Sequence, residues 1–202
     1  EVRVVASTDD AEEKPSGSMS LTSSDLELVF DGSDQTVGMR FNAVTIPPGA
    51  TITNAYIQFQ VDEANSEFTS LVIEGEATDN ATTFSGSSGN ISSRSRTASY
   101  ASWSPVPTWT TVGLAGPDQQ TPTIASIIQE IVNRPGWSSG NSLVIIITGT
   151  GHRTAEAFDG VPSAAPLLHV EYVAGSNAAP AVTIMAPANG STFNQGNLIT
   201  FA

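Results

Sequence analysis

Apolar and polar residues alternate along much of the chain. Ala55, Ile57, Phe59 and Val61 are interleaved with Tyr56, Gln58 and Gln60, the period-two pattern of a strand with one face on a core. Segments 2–6, 26–30, 37–41, 71–77, 108–112, 143–148 and 167–173 carry the same or a more continuous apolar character, separated by Gly, Pro, Ser and Asn, and each is predicted to be a strand. One stretch has helical spacing instead. Ile124, Ile127, Ile128 and Ile131 follow Thr121, a candidate cap, and Pro122 in the first turn, and the pattern stops before Pro135 and Gly136. Many short strands with one amphipathic helix predict an all-β, antiparallel β-sandwich whose single short helix covers an open edge or end. Trp137, directly after that helix, is expected to pack with it.

After Val173 the composition shifts to Ala174, Gly175, Ser176, Asn177, Ala178, Ala179 and Pro180, so 174–180 reads as a linker. Segment 181–202, with two short apolar runs around a Pro and Asn-Gly turn, resembles the opening of a bacterial immunoglobulin-like module. The organisation expected is a β-sandwich over 1–173, the linker, and the N-terminal fragment of a second module attached in cis.

Composition narrows the function classes. The 202 residues hold enough chain for one domain core. Seven Lys+Arg against 20 Asp+Glu give a net charge of -13, which argues against nucleic-acid and anionic-membrane partners, both of which are recognised through basic surface. With no Cys, disulfides, thiolate metal sites and Cys nucleophiles are excluded. The run from Leu143 to Ile147 is far shorter than the roughly 20 residues a spanning helix needs. No basic segment followed by an apolar one opens the chain, so an extracellular or cell-surface location is an inference from the resemblance that follows.

Val37, Gly38, Met39, Arg40 and Phe41, then Ile46, Pro47, Pro48, Gly49, Ala50 and the extended run to Phe59, resemble the opening block of DNRLRE-type modules. Thr154 to Phe158, followed by Ala165, Pro166, Leu167, Leu168, His169, Val170, Glu171 and Tyr172, are similar to the closing loop and last strand of the same family. The resemblance spans roughly 2–173. It implies a jelly roll and a noncatalytic carbohydrate-binding role, since such modules are appended to bacterial extracellular polysaccharide-degrading enzymes and some members bind alginate. Alginate binders use several Lys and Arg, whereas this chain has Lys14 and six Arg.

The densest charge cluster is Asp9, Asp10, Glu12 and Glu13, with Asp25, Glu27, Asp31 and Asp34 beyond. Calcium takes six to eight hard oxygen ligands, which acidic loops beside strand ends can supply. A calcium commonly pins the first strand in jelly rolls. The expected ligands here are Asp10, Glu12, Asp25 and Glu27, with Asp159 from the closing loop. A solvated acidic face is the alternative, because carboxylates are ordinarily exposed and independent.

Candidate ligand contacts come from aromatic and basic side chains. Tyr100, Trp103 and Trp109 lie in a Ser/Thr/Pro-rich stretch; their planes can stack on the weakly polar faces of sugar rings, or the two Trp can plug the core. Arg94 and Arg96 alternate, so on an extended segment they share a side and either grip a sulfate or carboxylate or guard a strand edge. Arg40 is expected to pair with Glu74 or Glu76.

Catalytic signals are weak. His152 and His169 are the two histidines, with no Gly-x-Ser-x-Gly elbow, no His-Glu-x-x-His and no Gly-rich phosphate loop. Acidic pairs for a lyase or glycoside hydrolase are available but unplaced. No catalytic residues are assigned. The reading is a calcium-stabilised, noncatalytic module that holds a secreted enzyme on its polysaccharide. The rivals are a structural spacer or adhesin module and a polysaccharide-cleaving domain.

Overall fold

The strand periodicity folds into two facing layers. A computed structural model describes residues 1–175 together with Thr192, Asn194 and Gly196; the rest of the expected linker and the immunoglobulin-like fragment over 181–202 otherwise lie outside the described residues. Among the described residues there are twelve strands. They are β1 (Val2–Arg3), β2 (Asp10–Glu13), β3 (Met19–Ser20), β4 (Asp25–Glu27), β5 (Thr36–Phe41) and β6 (Thr51–Gln58), then β7 (Val61–Glu63), β8 (Ser70–Glu76), β9 (Arg96–Trp103), β10 (Leu143–Thr150), β11 (Thr154–Glu156) and β12 (Leu167–Val173). One α-helix, α1 (Ala125–Val132), lies between β9 and β10.

All pairings are antiparallel. One layer is a six-stranded sheet in the order β3-β2-β5-β10-β8-β9; facing it are two three-stranded sheets, β1-β12-β6 and β4-β11-β7, which the chain joins by running from β6 into β7. The expected antiparallel β-sandwich with one short helix is therefore observed. Its main core is built from the inward-facing positions of both layers: Val37, Met39, Phe41, Ile73, Ile145 and Ile147 on one side, Ala55, Ile57, Phe59, Val61 and Leu168 on the other. No described helix is long and apolar enough to cross a membrane.

Helix α1 covers edges, as its apolar stripe predicts. Ile127, Ile128 and Ile131 are fully buried, while two polar residues serve the sheets. The Gln129 side chain accepts from Ile52 N (2.8 Å) and donates to Ala50 O (3.0 Å), and the Glu130 carboxylate accepts from Ala98 N and Ser99 N (2.8 and 2.7 Å). β6 and β9 are the edge strands of their sheets, so the helix satisfies backbone donors that a bare edge would leave open. Gly75 makes the approach possible, because a Cβ there would sit 2.8 Å from Ile127 and Ile131.

Three expectations are corrected, and one segment without an expectation gains a role. The helix begins at Ala125, not beside Thr121, because Thr121 extends the ladder along β6: its N–H donates to Ile57 O and its Oγ1 accepts from Ile57 N. Segment 108–112 forms no strand, and Trp109 makes a single bridge with Asn65. The segment read as an acidic loop is β2, with all four residues buried. Segment 78–95, given no structural role, lays Phe84 and Ile91 over the outer face of the six-stranded sheet and builds a second core with Ala11, Val144 and Ile146.

Candidate functional site

The outer face of the six-stranded sheet is built from residues that alternate with the core positions. Register places Ala11, Gly38, Ile146, Glu74 and Tyr100 in one row across β2, β5, β10, β8 and β9. The neighbouring row pairs Glu13 with Thr36, Thr148 with Val72, and Val72 with Ser102. Segment 78–95 covers the first row at its β2–β10 end, where Gly38 admits the Phe84 ring: a Cβ there would lie 2.6 Å from it. The other end stays open. Tyr100 is 65% exposed and Val72 36%, with Ser102 exposed beside them, so an aromatic plane stands on an uncovered sheet surface.

Arg96 lies beside this strip. Its Nε is 4.0 Å from Glu74, and its Nη1 is buried with no hydrogen-bond partner. Burial lowers its pKa from the usual guanidinium value, opposed by Glu74, Glu13 and Glu76. Arg94 serves another purpose. It donates to Glu76 (2.7 Å) and to the carbonyls of Asn90, Thr82 and Thr83, and its guanidinium lies 4.5 Å from the Phe84 ring centroid. It staples the covering segment. The two arginines are neighbours but form no open basic patch, because Arg94 faces Glu76 and Arg96 faces Glu74.

The two tryptophans are also placed differently from a ligand platform. Trp103 is 5% exposed and Trp109 fully buried; they meet at 6.4 Å between ring centroids, each packed on Phe59. Trp109 Nε1 donates to Asp118 O. They plug the core, and of the three aromatics Tyr100 alone offers a face. Trp137 is part of the main core and its Nε1 donates to Ile46 O. Arg40 pairs with Asp9 at 2.8 Å instead of Glu74 or Glu76.

At the β2 end, the row of Glu13, Thr36 and Thr148 borders a cavity of about 320 Å³. Glu13, Lys14, Asp34, Thr36, Ser92 and Thr148 line it, and Gln35 forms part of its wall. The Gln35 carboxamide is buried, with neither its nitrogen nor its oxygen partnered. The Glu13 carboxylate is already held in place, accepting from Ile91 N and Ser92 N at 2.6 and 2.9 Å.

The expected metal ligands separate into two groups at the seam between the layers. Asp10 and Glu12 project from β2 on the side opposite Ala11 and Glu13. Asp10 Oδ2 accepts from Phe158 N (2.8 Å); burial, with Asp159 nearby, raises its pKa to about 7 despite that bond. Glu12 Oε1 accepts from Glu27 N (2.8 Å), and burial together with the facing Glu27 carboxylate raises its pKa strongly. Asp159 is exposed and accepts from Ser7 Oγ (2.8 Å). Asp10 and Glu12 therefore staple the layers through backbone amides.

Asp25 belongs with residues the sequence did not single out. Asp25, Asp62 and Glu63 each place a carboxylate oxygen within 4.8 Å of the others and could hold a metal ion. Glu156 is opposite Asp25 in the β4–β11 register. Burial and then the Asp25 and Glu63 charges raise the pKa of Asp62, while burial and then Asp62 raise that of Glu156. Asp62 and Glu63 follow the alternating run that ends at Val61 and carried no signal of their own; the β11–β7 pairing, with a register shift between Thr154 and Ala155, puts them on the same small sheet as Asp25.

The histidines are structural in surroundings. His169 stacks on Tyr56 with ring centroids 4.7 Å apart, and His152 contacts Asn65 and Thr154 Oγ1. Comparison with protein-family models found none that matches this chain, and a search of curated proteins found no match either.

Proposed function

We propose that this chain is a noncatalytic carbohydrate-binding module that holds a polysaccharide on the open outer face of its six-stranded sheet. The observation that carries the reading is Tyr100: a large aromatic 65% exposed on a rigid strand, flanked by Val72, Glu74 and Ser102, supplies both a stacking plane and hydrogen-bonding groups for sugar hydroxyls. The resemblance to DNRLRE-type modules supports the same role, in cis to a secreted polysaccharide-degrading enzyme. Single-chain affinity is expected to be micromolar or weaker, with tandem modules adding avidity.

Calcium fits the Asp25, Asp62, Glu63 and Glu156 group. All four donors are hard carboxylate oxygens on strands of one small sheet, and their mutual repulsion is relieved by a divalent cation. A bound ion would supply charge neutralisation and tie β4, β7 and β11 together, with no chemical step assigned to it.

Affinity gel electrophoresis over neutral and acidic polysaccharides tests the reading. Retardation by at least one glycan, lost in Tyr100→Ala, is the expected result; migration unaffected by every glycan would favour a structural spacer or adhesin module. Release of reducing ends or unsaturated products from the same polymers would point to a cleaving domain instead.

A further inference from the structure

Resting on the carbohydrate-binding reading, we propose that the ligand is an uncharged glycan whose chain crosses the strands from Tyr100 and lodges one sugar residue in the cavity at the β2–β5–β10 end. The cavity lies in the row next to that of Tyr100, the row that Ser102 opens on β9. Ser102 pairs with Val72 and Val72 with Thr148; Thr148 and Thr36 both line the cavity, and Thr36 pairs with Glu13. From β9 to β10 is two inter-strand spacings and from the Tyr100 row to the Ser102 row is about 7 Å along the strand, so a chain stacked on Tyr100 reaches the cavity on a diagonal of roughly 12 Å past Glu74 and Val72.

The lining chemistry selects the ligand class. Thr36, Ser92 and Thr148 offer hydroxyls that both donate and accept, and Asp34 and Glu13 offer acceptors. Such a mixture matches the alternating donors and acceptors of sugar hydroxyls. It does not match an anion. Glu13 and Asp34 line the cavity and Glu74 flanks the open face, while the nearby cations already face carboxylates: Lys14 Nζ lies 3.5 Å from Asp31, and Arg96 lies beside Glu74. A uronate or sulfate in this row meets more negative charge than positive, within a chain of net charge -13. The cavity, about 320 Å³, is at the small end of the range for ligand pockets and has room for a sugar ring.

The test measures affinity of the chain for neutral polymers (xyloglucan, galactomannan, unsulfated agarose, hydroxyethylcellulose) and acidic ones (alginate, carrageenan, pectin), by retardation and by calorimetry. Two variants, Thr148→Trp and Ser92→Trp, fill the cavity from different walls; thermal melts establish that each is folded, and either one suffices. The expected result is binding to a neutral polymer that changes little between low and high salt, weakened about tenfold by the cavity variants and lost in Tyr100→Ala. Binding confined to acidic polymers, or neutral binding that both cavity variants leave unchanged, would overturn this inference while leaving the carbohydrate-binding reading intact. Binding to no polymer at all would overturn both.

Discussion

Tyr100 and Trp103 are three positions apart on one strand and end on opposite sides of the sheet. Alternation along β9 sends Tyr100 and Ser102 outward and Thr97, Ala101 and Trp103 inward, so residue type alone assigns neither. Replacing Trp103 by Ala leaves a hole beside Phe59 and Trp109 and is expected to cost about 3–5 kcal/mol, seen as a large fall in Tm. Tyr100→Ala removes an exposed ring and is expected to leave Tm within a few degrees while abolishing retention by glycan. A matching loss of stability in both variants would show that Tyr100 is held as structure. The same logic separates Arg94 from Arg96: they look alike in sequence, yet one is consumed by a covering segment and the other keeps a buried Nη1 without a partner.

Single elements carry much of the polar bookkeeping. Glu130 on α1 accepts two N–H groups of β9, and although burial pushes its pKa up, those bonds from Ser99 and Ala98 bring it below the usual carboxylate value. Its contribution is present above the unfolded carboxylate pKa and is lost as acid protonates it in the fold. Glu130→Ala should lower stability at neutral pH by about 1–3 kcal/mol and expose the β9 edge, detectable as a lower Tm and concentration-dependent association in sedimentation. Strand β2 behaves in the opposite sense. The Asp10 pKa is raised from 3.8 to about 7, so its contribution is fully present below the unfolded value and is lost as pH rises through about 7. In chelator, the Tm of Asp10→Asn relative to the parent should therefore climb between pH 4 and pH 8; a constant difference would mean that Asp10 is ionised throughout. Sequence periodicity had no means of finding β2, since its Asp10, Glu12 and Glu13 are carboxylates on both faces and match no alternating pattern. Their partners, the amides of Phe158, Glu27 and Ile91, come from three distant parts of the chain.

For the molecule as a whole, the three small strands β4, β11 and β7 concentrate Asp25, Asp62, Glu63 and Glu156 on one end of the sandwich. A chelator is expected to lower Tm at pH 7, added calcium to restore it, and Asp62→Asn to remove most of the difference. Linkage sets the scale: an ion at a hundred times its Kd stabilises by about 2.7 kcal/mol. A Tm indifferent to both chelator and calcium would remove the ion from this site. The glycan surface in this reading uses none of these four carboxylates, so the Asp62→Asn variant should still bind glycan when folded.

The sequence by itself determined the all-β class, the covering helix and the inward-facing core of β6, because period-two and helical apolar spacing are local properties that each segment carries alone. It also determined an acidic surface with no thiol chemistry. Only the tertiary structure decided which aromatic faces solvent, which carboxylate each arginine meets, and which carboxylates meet one another. Those outcomes depend on strand register, including its shift beside Ala155, and on a segment, 78–95, folding over half a sheet face. All of them are relations between residues far apart in the chain, and no local spacing encodes such relations.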